Sequence, residues 1–122
     1  MTARILVAED EILAAMALED ELLRAGYEVV LAPDGLAALT QAERSPPDLL
    51  LTDLRMPRLD GGGLIRRLRE VRPDLPVVVM TGYAPPGGGE AFRRPGEAPV
   101  TVFPKPVDMD LLVATLRDLL AP

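Results

Sequence analysis

The chain has no cysteine and no histidine, and its only lysine is Lys105. Without cysteine there is neither a disulfide framework nor a thiolate metal site, so reduced cytosol is the easiest home. Without histidine the protein is excluded as a phosphohistidine donor. Long apolar runs are missing too: Ile5-Leu6-Val7-Ala8 is far too short to span a bilayer, and no secretory cleavage pattern accompanies it. The chain therefore reads as soluble and cytoplasmic, with no membrane partner. Basic charge is scarce, with 13 Lys and Arg against 19 Asp and Glu, a net charge of -6. That balance repels the phosphate backbone of nucleic acid and argues against direct nucleic-acid binding.

What is there is a chain of 122 residues, 48% hydrophobic, the size of one domain (1–122) able to bury a core. Ile5 to Ala8 reads as a strand buried on both faces, stopping at Glu9-Asp10-Glu11. From Ile12 to Ala25, Leu13, Met16, Ala17, Leu18, Leu22 and Leu23 recur at helical spacing, and Gly26 stands where a helix ends. Val29 to Leu31 is a second strand. Asp34 is placed to cap a helix through Leu36, Ala37, Leu39 and Ala42, closed by Ser45-Pro46-Pro47. Leu49 to Thr52 gives a third strand ending at Asp53, and a loop containing Pro57 and Gly61-Gly62-Gly63 leads into a helix around Leu64, Ile65 and Leu68. Val77 to Met80 is a fourth strand ending at Thr81. Val100 to Phe103 is a fifth, followed by Lys105-Pro106 and a final amphipathic helix through Leu111, Leu112, Leu116 and Leu120. Between them, Tyr83 to Pro99 is so dense in Pro and Gly that at most about two turns of helix fit, around Glu90 to Arg94.

Strands alternating with helices imply an α/β fold, a doubly wound parallel sheet with its ligand site at the carboxyl ends of the strands. Those ends carry Glu9, Asp10, Asp53, Thr81 and, just past the last strand, Lys105. Three carboxylates in a small space repel one another unless a cation joins them, and hard oxygen ligands suit magnesium. One hydroxyl and one ammonium added to them make a pocket able to hold phosphoryl oxygens, with Asp53 as a carboxylate nucleophile. Each group also has an ordinary reading. Acidic residues favour a helix N-terminus, Asp53 and Thr81 could be caps, and a lone lysine could reflect a bias toward arginine. The five together, each after a strand, favour a site over five coincidences.

The segments ILVAEDE, LLLTDLRMPRLDGG, VVVMTGY and KP, in this order, resemble the response-regulator receiver domains of two-component signalling across Ile5 to Leu120. The resemblance implies a flavodoxin-like (βα)5 fold with strand order 2-1-3-4-5, here with a shortened or irregular fourth helix. It implies Asp53 as phosphoacceptor, magnesium held by Glu9, Asp10, Asp53 and the backbone carbonyl of Arg55, and Thr81 and Lys105 on the phosphoryl group. A cis bond before Pro106 is expected as well. The implied donor is a histidine kinase or histidine phosphotransfer protein, with a downstream protein partner. The only enzymology implied is self-phosphorylation and autodephosphorylation.

Two departures stand out. The position three residues before the lysine, usually Tyr or Phe in this family, is Val102. Phe103, one residue later, should face the other side of the sheet and pack beneath a helix. Thr81-Gly82-Tyr83 is similar to a subgroup in which loss of that aromatic accompanies a Thr-Gly-Tyr stretch, and Tyr83 is a candidate replacement. The Pro/Gly-rich stretch leaves the usual output surface reshaped or mobile. It also keeps open a second reading, a receiver fold retained as a protein-binding module without phosphoryl transfer. A dehalogenase-type phosphatase would want a second Asp two residues after the nucleophile, where Arg55 stands.

Overall fold

A computed structural model describes residues 2–122. Five strands alternate with helices: β1 Arg4–Ala8, α1 Ile12–Arg24, β2 Glu28–Ala32, α2 Gly35–Arg44, β3 Leu49–Asp53, α3 Gly61–Val71, β4 Val77–Thr81, a 3-10 helix Gly88–Phe92, β5 Val100–Pro104 and α4 Met109–Leu120. The sheet is parallel throughout in the order β2-β1-β3-β4-β5, as the resemblance implies. The reversal of direction at β1 leaves a crevice outside the carboxyl ends of β1 and β3.

The side-chain alternation of each strand feeds two cores. Leu6, Leu50, Val77 and Val79 pack with Ala38 of α2 and Leu64 and Ile65 of α3. Ile5, Val7, Leu49, Leu51, Val78 and Met80 pack with Leu18 and Leu22 of α1 and Leu112 and Leu116 of α4. β3 and β4 are buried at every position, which is why they read as continuous apolar runs. Each such Leu or Val removed from water contributes about 1.5–3 kcal/mol before the entropy of ordering is counted. Phe103 lies in the second core beneath α4, whereas Val102 packs on the first, the opposite facing that strand alternation requires.

Polar side chains close the helix ends. Glu11, Asp34, Asp60 and Asp108 each accept from backbone N–H groups in the first turn of their helices, the donors otherwise left without partners. Gly26, at φ 96°, ends α1 in the left-handed region as expected.

Two expectations need correction. Gly61, Gly62 and Gly63 form the first turn of α3 rather than the loop before it. The Asp60 carboxylate caps Gly63 N at 2.8 Å, and a Cβ on Gly61 would come within 2.3 Å of the Asp53 carbonyl oxygen. The helix thus starts early because only a residue without a side chain fits against the end of β3. Between β4 and β5 there is one 3-10 helix at Gly88–Phe92, two residues ahead of the expected turn. Gly89 determines its place, since any Cβ there would stand 1.8 Å from the Val100 carbonyl oxygen.

Candidate functional site

The strand ends bring the expected residues to one rim. Asp53 is the last residue of β3 and Thr81 the last of β4, while Glu9 and Lys105 follow β1 and β5 directly. Backbone bonds carry the sheet past these ends: Glu9 N donates to Ala32 O at 3.0 Å and Lys105 N to Thr81 O at 2.9 Å. The Lys105–Pro106 peptide bond is cis.

The acidic triplet divides its work. Glu11 is the cap of α1, accepting from Leu13 N at 3.2 Å and Ala14 N at 2.9 Å. Glu9 instead turns inward and is buried, and Asp10 is exposed beside it. One carboxylate oxygen from each of Glu9, Asp10 and Asp53 lies within 4.8 Å of the others. The ordinary reading of the triplet as a helix start therefore holds for Glu11 alone.

Asp53 is held at both oxygens. Oδ1 accepts from Leu54 N at 2.7 Å and Oδ2 from Lys105 Nζ at 2.9 Å. The same ammonium reaches Glu9 Oε1 at 3.4 Å, and Glu9 Oε2 accepts from Glu11 N at 3.2 Å. Two ionised carboxylates at the 4.8 Å outer limit of this cluster repel by about 3.5 kcal/mol at an effective dielectric near 20, and closer pairs by more. A single ammonium, about a third exposed, faces three carboxylates, so the ionised cluster keeps two negative charges in excess. Burial pushes the Glu9 carboxyl above its ordinary range; the Glu11 N–H opposes this, Asp53 adds to it and Lys105 again opposes it. Burial pushes the Lys105 ammonium down, but the hydrogen bond and charge of Asp53, and then Glu9, outweigh it and leave the group raised. The donor set fits a hard divalent cation: three carboxylates with excess negative charge and no softer ligand among them.

Thr81 is buried at the rim, but its hydroxyl faces its own loop, donating to Tyr83 O at 3.0 Å and accepting from Tyr83 N at 3.1 Å. It makes no hydrogen bond to Asp53 among the described residues. Tyr83 is 80% exposed. Arg55, two residues beyond β3, has an exposed side chain. Two supports escape sequence reasoning. Leu54 N is a backbone donor with no residue signal, and Arg58, at φ 72°, reaches the buried Asp34 carboxylate at 3.5 Å. The latter ties the loop after Asp53 to the start of α2, where a Cβ on Gly35 would meet Leu59 O at 2.1 Å.

No helix is long and apolar enough to cross a membrane among the described residues. The family model described as "Response regulator receiver domain" matches residues 5–117. Response regulator MprA of Mycobacterium tuberculosis is 38% identical over 120 residues, covering 98% of this chain and 51% of that protein. A protein-glutamate methylesterase/protein-glutamine glutaminase 1 of Anaeromyxobacter dehalogenans is 41% identical over 106 residues, 87% of this chain and 30% of that protein. The chain thus spans about half the length, or less, of the curated relatives it matches. Among solved structures, the receiver domain of the hybrid histidine kinase CckA superposes with a TM-score of 0.79 at 34% identity, covering 96% of this chain and 98% of that one. The chemotaxis response regulator CheY4 of Vibrio cholerae superposes with a TM-score of 0.84 at 27% identity, covering 98% and 99%. With its sheet order, its rim of carboxylates and this match over nearly the whole length, the chain belongs to the response regulator receiver domains of two-component signalling.

Proposed function

We propose that Asp53 is the phosphoacceptor and takes its phosphoryl group from a phosphohistidine of a histidine kinase or phosphotransfer protein. The observation that carries this is the direct contact of Lys105 Nζ with Asp53 Oδ2 at 2.9 Å, inside a cluster of three carboxylates. Magnesium would be held by Glu9, Asp10, Asp53 and the Arg55 carbonyl, and when bound it supplies positive charge against the phosphoryl oxygens. The Asp53 carboxylate attacks phosphorus in line as the P–N bond to histidine breaks, and the bonding electrons leave with the imidazole. Lys105 leaves Asp53 Oδ2 for a phosphoryl oxygen, so its charge stays paired through the transfer. Leu54 N keeps Oδ1 oriented throughout. Water later cleaves the acyl phosphate and restores Asp53.

Thr81 answers the new group through its hydroxyl. To donate to a phosphoryl oxygen it must give up its bond to Tyr83 O, worth about 1 kcal/mol, and the Tyr83 carbonyl is released at the same moment. With Val102 in place of an aromatic, this loop is the element that moves, and Tyr83 carries the change to the surface where a downstream protein reads it.

Intact-mass measurement after incubation with acetyl phosphate or phosphoramidate tests the reading. The expected result is one added phosphoryl group that requires magnesium and disappears in Asp53→Ala. A folded wild-type chain that takes no label, or a label undiminished in Asp53→Ala, overturns it.

A further inference from the structure

Among the described residues of this acidic chain, a basic concavity lies away from the phosphoryl site. A cavity of about 160 Å³ lies between α3 and the 3-10 segment, lined by Gly62, Arg66, Ala91, Phe92, Arg93 and Arg94. Three of the 13 basic residues of a chain with net charge -6 share this wall, and no carboxylate lines it. The guanidinium groups of Arg66 and Arg94 have no hydrogen-bond or ion-pair partner among the described residues. Arg93 is bound on one side only, through Nε to Glu97 O at 2.7 Å and through one terminal nitrogen to Glu90 at 3.3 Å.

The wall is held from behind. Arg94 N donates to Glu97 Oε1 at 3.0 Å, and the buried Arg69 donates to the carbonyls of Ala98 and Pro99 at 2.6 and 3.1 Å. Phe92 packs on Gly62, where a Cβ would stand 3.8 Å from its ring. Like charges gathered on such a frame repel unless a counter-charge enters. Arginine forks pair best with planar oxyanions such as carboxylates, and the Ala91 and Phe92 floor suits an apolar side chain beside them.

We propose that the α3 and 3-10 cavity, through Arg66, Arg93 and Arg94, docks an acidic segment of another polypeptide that presents carboxylates next to an apolar residue. Nucleic acid fits less well, because three cations in a compact cup do not track a backbone and the remaining surface repels it. A second copy also fits less well. A two-fold contact here would set one arginine wall against the other. The proposal is independent of Asp53, so it is tested on the unphosphorylated chain.

The probe is a fluorescein-labelled synthetic peptide of alternating glutamate and leucine, followed by fluorescence anisotropy with the full chain. Its controls are the same peptide with glutamine for glutamate and a labelled oligothymidylate of equal charge. The glutamate peptide is expected to bind, more weakly as salt rises, and the glutamine peptide is not. Arg66→Gln with Arg94→Gln should weaken binding about tenfold, whereas Arg44→Gln with Arg117→Gln, on α2 and α4, should leave it unchanged. All four residues are exposed, and a thermal melt confirms each variant folds. The proposal is overturned if no peptide binds, or if both pairs of substitutions act alike. It also fails if oligothymidylate binds as tightly through the same arginines, or if these arginines instead drive self-association of the chain.

Discussion

Replacing Arg69 by methionine should unfold the surface between β4 and β5 before the rest of the molecule. Methionine keeps the length of the apolar stem and deletes only the guanidinium. That group is fully buried and donates to Leu75 O at 2.8 Å, Ala98 O at 2.6 Å and Pro99 O at 3.1 Å, with Glu97 at 3.8 Å. Stranding a buried acceptor costs about 1–3 kcal/mol. Against this stand the relief of desolvating a cation, which already pushes the guanidinium pKa down, and of Nε, which has no partner. The balance for removing one member of such a network is a loss of about 3–5 kcal/mol. For a domain of this size that lowers the melting temperature by roughly 10–20 °C. Calorimetry reads the global loss. Trypsin cleavage under native conditions reads the local one, since the Arg93–Arg94 bond lies in the segment that Arg69 anchors. A melting temperature within about 3 °C of wild type, with cleavage at an unchanged rate, would refute the reasoning.

Magnesium at a hundred times its dissociation constant should raise the unfolding free energy by about 2.7 kcal/mol, read as a higher melting temperature. Asp10→Asn should remove most of that gain, and an equal gain in the variant would take Asp10 out of the ligand set. In the metal-free chain, Glu9 is raised above its ordinary 4.5, so the folded state holds its proton longer than the unfolded state. Its stabilising share is whole at low pH and is lost as pH climbs from 4.5 through the folded value. Glu9→Gln should therefore gain on wild type as pH rises across that window in urea titrations, and a constant difference would sink the assignment. Lys105, raised above 10.5, contributes fully below that pH and loses its share only in strong alkali, a limb that Lys105→Met should lack. Gly61→Ala drives a Cβ into the Asp53 carbonyl oxygen at 2.3 Å; it should cost about 1–3 kcal/mol and slow acetyl-phosphate labelling. Gly62→Ala, with its nearest neighbours at 3.6 Å or more, should do neither, and equal behaviour of the two would contradict the packing argument.

The strands were legible because a parallel strand covered on both faces has to be apolar at every position, and Leu49–Leu51 and Val77–Met80 are. The rim was legible for a related reason. An apolar run ends where the strand leaves the core, so Asp53 and Thr81, which close β3 and β4, and Glu9 and Lys105, which follow β1 and β5, are delivered by the sheet to one edge. Helix starts were marked by Asp34 and, less openly, by Glu11, hidden among three acids of which only one is a cap. The start of α3 was misplaced because three glycines read as a breaker, and only the approach of Asp53 O to Gly61 shows why a helix begins there.

What stayed hidden depends on backbone partners and on residues far apart in the chain. The direction of the Thr81 hydroxyl is decided by the Tyr83 backbone and that of Asp53 Oδ1 by Leu54 N, and neither donor nor acceptor has a residue type to announce it. Arg69 left a fainter trace. It lies four residues after the buried Ile65, on the apolar stripe of α3, where a charge must either find acceptors or cost the helix its packing. Its acceptors are supplied by residues 75, 98 and 99, so the anchor exists only once β4 and β5 are paired. The density of Pro and Gly between Tyr83 and Pro99 reads as a reshaped or mobile surface, yet the stretch bonds to itself, as in Arg93 Nε to Glu97 O and Arg94 N to Glu97 Oε1. It is further held by α3, through one buried guanidinium and a phenylalanine ring on Gly62. The same dependence brings Arg66 of α3 beside Arg93 and Arg94, so the basic wall forms only when that buried anchor is made.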